Sequence, residues 1–500
     1  MKTKKTILNI ITDVIPLIIV ALVGIYKVKL FLHVLGSETL GLYQLFNNLM
    51  IYVALVDGGL SSALLFSLYK PNAAGDTKKF NELLSGGLRT FAKIGMYVFG
   101  MATVISFFII FLIKDCTFSY WYIVVTFLLF SLSNVIEYFF VPYNALLEVK
   151  EKKYIYNLIT QIGQISISIV EIVLLLLHVK FGYILLSHSI IKLLIRLIEV
   201  KICKKNFPNV NVHEERKDYS FKKFLGSLVF HKINGLVGSN IDSLIISSML
   251  GLNSVAIYST YNYIITMLKN ILGKISSSMT ALVGNSLEKD KKGMHDLYLE
   301  FDSLLFFIAI AICVPLILAL NGFIDLFYEG KIATSFAIAL SFSLILFTFI
   351  IKMDTNLFIN AAGLYKETKH CAITDTIINL ILSLTLVKII GIPGVLIATA
   401  VSVMIAEYIL KTRVVYKNIF KTSPSEYFIK NIKFFLIFLI DFIGSYYLFS
   451  LFTINSIFIW FIFFIIFTVL NAILLLLVFK LINELNFINR FKFIIKKISH

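Results

Sequence analysis

Charged and polar side chains set inside long apolar stretches are the groups of this chain able to do chemistry, because a charge surrounded by hydrocarbon is costly unless it faces water or a partner. Lys269 is the clearest of them. It belongs to a stripe of Tyr258, Asn262, Thr266, Lys269, Gly273, Ser276, Thr280 and Gly284, each three or four residues after the last, which is one face of a helix. Small and hydroxyl residues on such a face serve either close helix packing or a polar lining. A lysine some ten residues from either end of a span does not easily snorkel to the interface. The preceding apolar stretch places His231, Gly235, Gly238 and Asp242 on one face, and the positions 215 before His231, Ser239 and Asp242 hold Pro16, Gly24 and Lys27. A cation in one copy thus mirrors an anion in the other. Snorkelling and a cavity role both suit Lys27, whereas Lys29 points to the opposite side of its helix. Asp57 precedes Gly58 near the inner end of a span, where a buried, hydrogen-bonded carboxylate is the common occupant. Glu137, Glu171, Lys352, Asp354 and Asp375 are further single charges whose facing the sequence does not give. The chemistry open to this set is electrostatic.

The scaffold that positions these residues is doubled. Leu35-Gly36, Tyr43, Asn47, Gly58 and Ser61-Ser62 return, displaced by 215, as Leu250-Gly251, Tyr258, Asn262, Gly273 and Ser276-Ser277. Asn144-Ala145, Lys150-Glu151 and Lys153 return, displaced by 216, as Asn360-Ala361, Lys366-Glu367 and Lys369. A period this long is a whole bundle rather than a solenoid unit, and in a hydrophobic chain it is a transporter's way of building.

Hydrophobic residues form 58% of the 500, mean hydropathy is +0.88, and apolar runs of about twenty residues recur from end to end without strict alternation. The fold class expected is therefore an all-α polytopic membrane protein, since helices alone then satisfy the backbone in lipid. The pattern predicts fourteen helices, at about 8–34, 41–68, 82–112, 119–147, 154–177, 181–203, 222–249, 254–284, 296–320, 332–359, 368–390, 393–415, 430–450 and 455–480. They group as two pseudo-symmetric six-helix lobes, 1–205 and 222–416, a cytoplasmic linker 206–221 of mixed, solvated charge, and two appended helices with a basic tail in 417–500. Lys2, Lys4 and Lys5 before the first apolar run imitate a signal peptide, but without a small-residue cleavage site the run reads as an uncleaved span. The segments assigned to the cytoplasm hold 35 of the 46 Lys and Arg, whereas the outer loops hold Lys114, Lys180, Lys331 and Lys388, so both termini are expected inside. Pro16, Pro142 and Pro315 are expected to kink or loosen their helices.

Several classes are excluded. The net charge of +17 forms a basic cytoplasmic rim suited to anionic lipid, and nucleic acid is not needed as a partner. The four cysteines lie far apart without Cys-x-x-Cys, and the eight histidines never fall at metal-ligand spacing, so no disulfide, metal or cofactor is expected. There is no phosphate-cradling G-x-x-x-x-G-K-[ST], no Gly-x-Ser-x-Gly, and no large outer loop with paired carboxylates, which leaves an enzyme without a site.

Leu35-Gly36 with Gly41-Leu42-Tyr43, Asp57-Gly58-Gly59-Leu60, and Asn240-Ile241-Asp242 through Leu250-Gly251 to Tyr258 resemble the polysaccharide transporter (oligosaccharide flippase) family of the multidrug/oligosaccharidyl-lipid/polysaccharide exporter superfamily. Length, helix number and duplication match over about the whole chain. The resemblance implies two six-helix lobes around a central cavity, and movement of an undecaprenyl-diphosphate-linked sugar unit across a bacterial cytoplasmic membrane by alternating access. It also implies a cationic lumen, for which Lys27, Lys232, Lys269 and Lys274 are the candidates here, with Asn262 and Tyr258 on the same stripe as Lys269. Coupling to an ion gradient would draw on Asp242, Asp57 or His231. Expected partners are the lipid-linked glycan, anionic lipid, and a polysaccharide polymerase with its glycosyltransferases, around a monomeric transporter. A drug/cation antiporter of the same superfamily should instead line its cavity with carboxylates. A lipid II flippase, also of fourteen helices, remains open, and a membrane glycosyltransferase or polymerase is opposed by the short outer loops.

Overall fold

The computed structural model describes residues 22–57, 59–224, 241–287 and 291–486, and among them there is no strand. They divide into two compact units, Met1–Ala256 and Ile257–His500. The first holds α1 (22–34), α2 (Gly36–Val53), α3 (Leu60–Ala74), α4 (Thr77–Ser106), α5 (Tyr120–Tyr138), α6 (Val141–Val149), α7 (Lys153–Leu176), α8 (Phe181–Asn206), α9 (Ile241–Leu250) and the first turn of α10 (Leu252–Leu287). The second continues α10 and adds α11 (Lys291–Tyr328), α12 (Phe336–Ile351), α13 (Met353–Ala362), α14 (Lys369–Ile390), α15 (Ile392–Ser402), α16 (Lys411–Val415), α17 (Ser425–Ser450) and α18 (Ile457–Leu481). Ten described helical stretches are long and apolar enough to cross a membrane. Parts of the expected helices 8–34 and 222–249 lie outside the described residues.

The repeated Leu-Gly pairs are helix corners. Gly36 at φ +83° ends α1 and Gly251 at φ +86° ends α9, a backbone region that Cβ-bearing residues occupy only with strain. At Gly41 a Cβ would lie 2.0 Å from the carbonyl oxygen of Leu252, so α2 meets the start of α10 backbone to backbone. Asn48 Nδ2 donates to Ser243 Oγ at 2.9 Å and Ser247 Oγ donates to Leu112 O at 2.6 Å, which hold α9 within the first unit.

Several expected single helices are interrupted, each for a local reason. The stretch 41–68 breaks after a 3₁₀ turn at Ala54–Asp57, with Gly59 left-handed at φ +86°, and Asp57 accepts from Ser61 N (3.3 Å) and Ser61 Oγ (3.0 Å) at the start of α3. Pro142 sits in the first turn of α6, where its missing N–H ends the run of α5 and lets a new helix begin. The stretch 332–359 divides at Lys352, and 393–415 passes through a π-helical segment, Val403–Leu410. Pro315, by contrast, lies inside the single helix α11, and Pro16 lies outside the described residues.

The linker is more than a solvated tether. Ser85 Oγ donates to Glu214 O (2.8 Å), Asp218 N donates to Glu82 O (3.0 Å), and Lys79 Nζ pairs with Asp218 at 2.5 Å, so it lies along α4. A Cβ on Gly86 would fall 2.0 Å from Asp218 O, which only glycine avoids. Burial works to raise the Asp218 carboxyl, but its bonds with Lys79 and Ser220 hold it below the ordinary carboxylate range. In the second unit, α17 and α18 present mostly apolar exposed faces, as lipid-facing helices do; Trp460 Nε1 fixes α18 to Ala319 O of α11 at 3.0 Å.

Candidate functional site

In the first unit a polar seam runs where α7 packs on α8. On α8 it is His188, Lys192, Arg196 and Glu199, spaced four, four and three, hence one face; Thr160, Gln164 and Glu171 supply the α7 side. At one end Glu171, 1% exposed, accepts from Lys27 Nζ of α1 at 3.1 Å and is bonded to His188 Nε2 at 3.1 Å. The Tyr43 ring lies 6.5 Å from the His188 ring and is flanked by Phe31 and Phe181. At the other end Arg196, 4% exposed, grips Glu137 Oε2 through Nε (2.8 Å) and Nη2 (2.7 Å), and Glu199 through Nη1 (2.5 Å). Lys192 Nζ stands 3.9 Å from Glu137 Oε1. Beside the Arg196 end is a cavity of about 110 Å³ lined by Thr160, Gln164, Lys192, Arg196 and Glu137. Several such charges buried together persist because each is matched, and removing one partner of a buried pair typically costs about 3–5 kcal/mol.

The second unit carries the counterpart. Lys352 Nζ meets Glu407 Oε2 at 2.6 Å, Lys411 Nζ meets Glu407 Oε1 at 2.5 Å, and Lys411 also donates to Asn356 Oδ1 at 3.3 Å. Adding 215 to Glu137, Lys192 and Arg196 gives Lys352, Glu407 and Lys411. The duplication therefore preserves an ion cluster between the fourth and sixth helices of each copy, with the sign reversed at its first two members. Asp375 of α14 is within electrostatic reach of all three and balances the extra lysine. Both clusters sit where the fourth helix is interrupted, next to Tyr138–Phe140 and at Lys352 itself.

Chemically these are sites for holding or exchanging charge. Among the described residues no group of three or more His, Cys, Asp or Glu could hold a metal ion.

The predicted residues are dispersed between the units. Lys27 belongs to the seam through Glu171. Asp57 bonds Ser61 at the start of α3, and Asp242, 4% exposed on α9, is within electrostatic reach of Tyr52. In the second unit, Tyr258 is buried with its ring 5.5 Å from that of Phe342, Asn262 Oδ1 accepts from Thr266 (3.5 Å), Lys269 is half-buried with Nζ 5.7 Å above the Phe349 ring, and Lys274 is exposed. His231 and Lys232 lie outside the described residues. The sequence leaves the facing of Glu137, Glu171 and Lys352 open and does not single out His188, Glu199 or Glu407. Arg196, near the cytoplasmic end of the expected helix 181–203, is buried in α8. The helical spacing of 188, 192, 196 and 199, and the 215-residue echo, were the available signals.

No protein-family model and no curated protein matches the chain. Solved structures do. The lipid II flippase MurJ, inward closed, superposes with a TM-score of 0.69 at 20% identity over 95% of this chain and 99% of that one. An inward-facing multidrug resistance MATE family transporter of the MOP superfamily gives 0.67 at 16% identity over 83% and 99%, and the MATE multidrug transporter DinF-BH gives 0.60 at 15% over 83% and 95%. At these identities the likeness establishes that the chain shares the fold of these structures.

Proposed function

We propose that the chain is a flippase that moves an undecaprenyl-diphosphate-linked oligosaccharide, the repeat unit of a surface polysaccharide, across a bacterial cytoplasmic membrane by ion-coupled alternating access. The observation that carries this is the reach of the fold likeness. It extends over 95% of the chain for the lipid II flippase and 83% for the multidrug transporters, and the difference is close to the length of α17, α18 and their connection. A carrier of a lipid has use for apolar helices beyond the doubled core. Lys27 on the first expected helix, and Lys269 and Lys274 on the eighth, favour an anionic cargo over a cationic drug. The fourteen-span scheme with both termini inside, and the two six-helix lobes 1–205 and 222–416 with linker 206–221, are part of the same proposal.

In this reading Lys27 is the exchangeable cation of the first unit, with Lys269 and Lys274 those of the second. A diphosphate oxygen about 4 Å from a partly buried ammonium gains roughly 4 kcal/mol at an effective dielectric near 20, before desolvation is subtracted. Glu171 holds Lys27 at 3.1 Å until the headgroup competes for it, and His188 keeps Glu171 in place. Asp242 and Asp57 remain the described candidates for the coupling ion. Lipid II is the second reading, favoured by the same structural likeness. Depleting the protein in its own cell separates the two. Loss of surface polysaccharide with continued wall growth supports the proposal; arrested wall growth supports lipid II, and neither change refutes both.

A further inference from the structure

A second set of buried polar groups in the Ile257–His500 unit is distinct from the cluster around Glu407. Asp302 of α11 and Asp354 of α13 are both 0% exposed and lie within electrostatic reach of one another. Asp354 is satisfied: Oδ1 accepts from Thr355 N at 2.6 Å and Oδ2 from Tyr427 OH at 3.3 Å. Asp302 is half satisfied. Its Oδ1 accepts from Asn431 Nδ2 of α17 at 3.3 Å, and the same amide nitrogen donates to Tyr408 OH at 2.6 Å. Asp302 Oδ2 has no partner, and neither has Asn431 Oδ1, on a side chain 1% exposed.

Two orphaned acceptors on two side chains already joined by one hydrogen bond are both satisfied when the acid carries a proton. A carboxylic acid and a primary amide meet edge to edge through two bonds, amide N–H to one acid oxygen and acid O–H to the amide oxygen. We propose that Asp302 is a proton-binding site that carries H⁺ on Oδ2 and donates it to Asn431 Oδ1, closing a ring of two hydrogen bonds that ties α17 to α11.

The surroundings agree. Tyr298 faces the site from α11, Asp354 from α13, Tyr408 from the Val403–Leu410 turn, Tyr416 from the next π-helical turn, and Tyr427 and Lys430 from α17. Lys430, the nearby cation, is bonded to Glu484 Oε2 at 3.0 Å and to Leu299 O at 2.7 Å, so its charge is already matched. Tyr427 also faces Asp302, but a phenol has one proton and can serve only one of the two carboxylates, and its OH stands 3.3 Å from Asp354 Oδ2. Two adjoining carboxylates out of water with only neutral donors are disfavoured by desolvation and by mutual repulsion. One proton taken from water removes a charge, the repulsion, and both unsatisfied acceptors.

Infrared difference spectroscopy on the full-length protein in lipid nanodiscs at neutral pH reads the proton directly. The carbonyl band of a protonated carboxylic acid should be present in the wild type, absent from Asp302→Asn, and retained in Asp354→Asn. Asp302→Asn should melt with the wild type, because a second amide rebuilds the ring. Asn431→Ala should shift the band by removing its hydrogen bond. Loss of the band in Asp354→Asn instead, an unshifted band in Asn431→Ala, or a wild type lacking the band and stabilised by sodium ions would each overturn the assignment, the last in favour of a metal cation at the same oxygens.

Discussion

The mirrored ion clusters give a quantitative test of the duplication. In the second unit Glu407 lies between Lys352 at 2.6 Å and Lys411 at 2.5 Å, each side chain about 15% exposed. Lys352→Glu alone removes one of these pairs and sets two carboxylates against each other across a gap built for a bond. For a largely buried pair the expected loss is about 3–5 kcal/mol. At roughly 2–4 °C per kcal/mol for a unit of this size, the melting temperature should fall by about 6–20 °C. Adding Glu407→Lys reinstates opposite charges in the reversed order that Glu137, Lys192 and Arg196 hold in the first unit, with Lys411 placed as Arg196 is. The double variant should therefore regain most of the loss, giving a coupling energy of at least about 2 kcal/mol in a double-mutant cycle. Thermal unfolding of the purified single, double and wild-type proteins, followed by tryptophan fluorescence, reads this. A neutral single variant, or a double variant no more stable than the more damaged single, refutes the claim that these residues form one interchangeable cluster.

Other outcomes follow from particular contacts. Gly86→Ala should displace the 206–221 linker from α4 at a cost of about 1–3 kcal/mol, seen as faster proteolysis of that segment. Because Asp218 has its folded pKa lowered, its contribution is present above the ordinary carboxylate range and is lost as pH falls through the folded value; Lys79 is 46% exposed, so the tether should loosen in acid by less than about 1 kcal/mol, and Asp218→Asn should abolish that pH response in the same proteolysis assay. Gly251→Ala should destabilise by about 1–2 kcal/mol through the left-handed corner, measurable as a lower melting temperature.

The helical class, the duplication and the corners at Gly36 and Gly251 were legible because composition and a seven-position Leu/Gly/Tyr/Asn/Ser echo record them directly. Pro142 marks its own interruption in the sequence, whereas the breaks at Asp57 and Lys352 do not show there. A hydropathy pattern sees an apolar run and not the turn in which an aspartate caps. The electrostatic reading fared unevenly for a similar reason. Glu137, Glu171 and Lys352 stand alone in their sequence stretches because their partners Arg196, Lys27 and Glu407 are about 55 to 145 positions away. The offset that revealed the doubled helices also relates Glu137, Lys192 and Arg196 to Lys352, Glu407 and Lys411. Sign reversal hid it, since identity rather than the presence of charge was being matched.

Transport of a lipid diphosphate is tested most directly in proteoliposomes containing the purified chain and a fluorescent undecaprenyl-diphosphate oligosaccharide, with leaflet exposure read by an impermeant quencher. The expected result is protein-dependent movement of the glycolipid between leaflets, slowed at least several-fold in Lys27→Ala and Lys269→Ala variants of unchanged melting temperature. Efflux of a cationic dye with no movement of the glycolipid would contradict the account and make the chain a drug exporter.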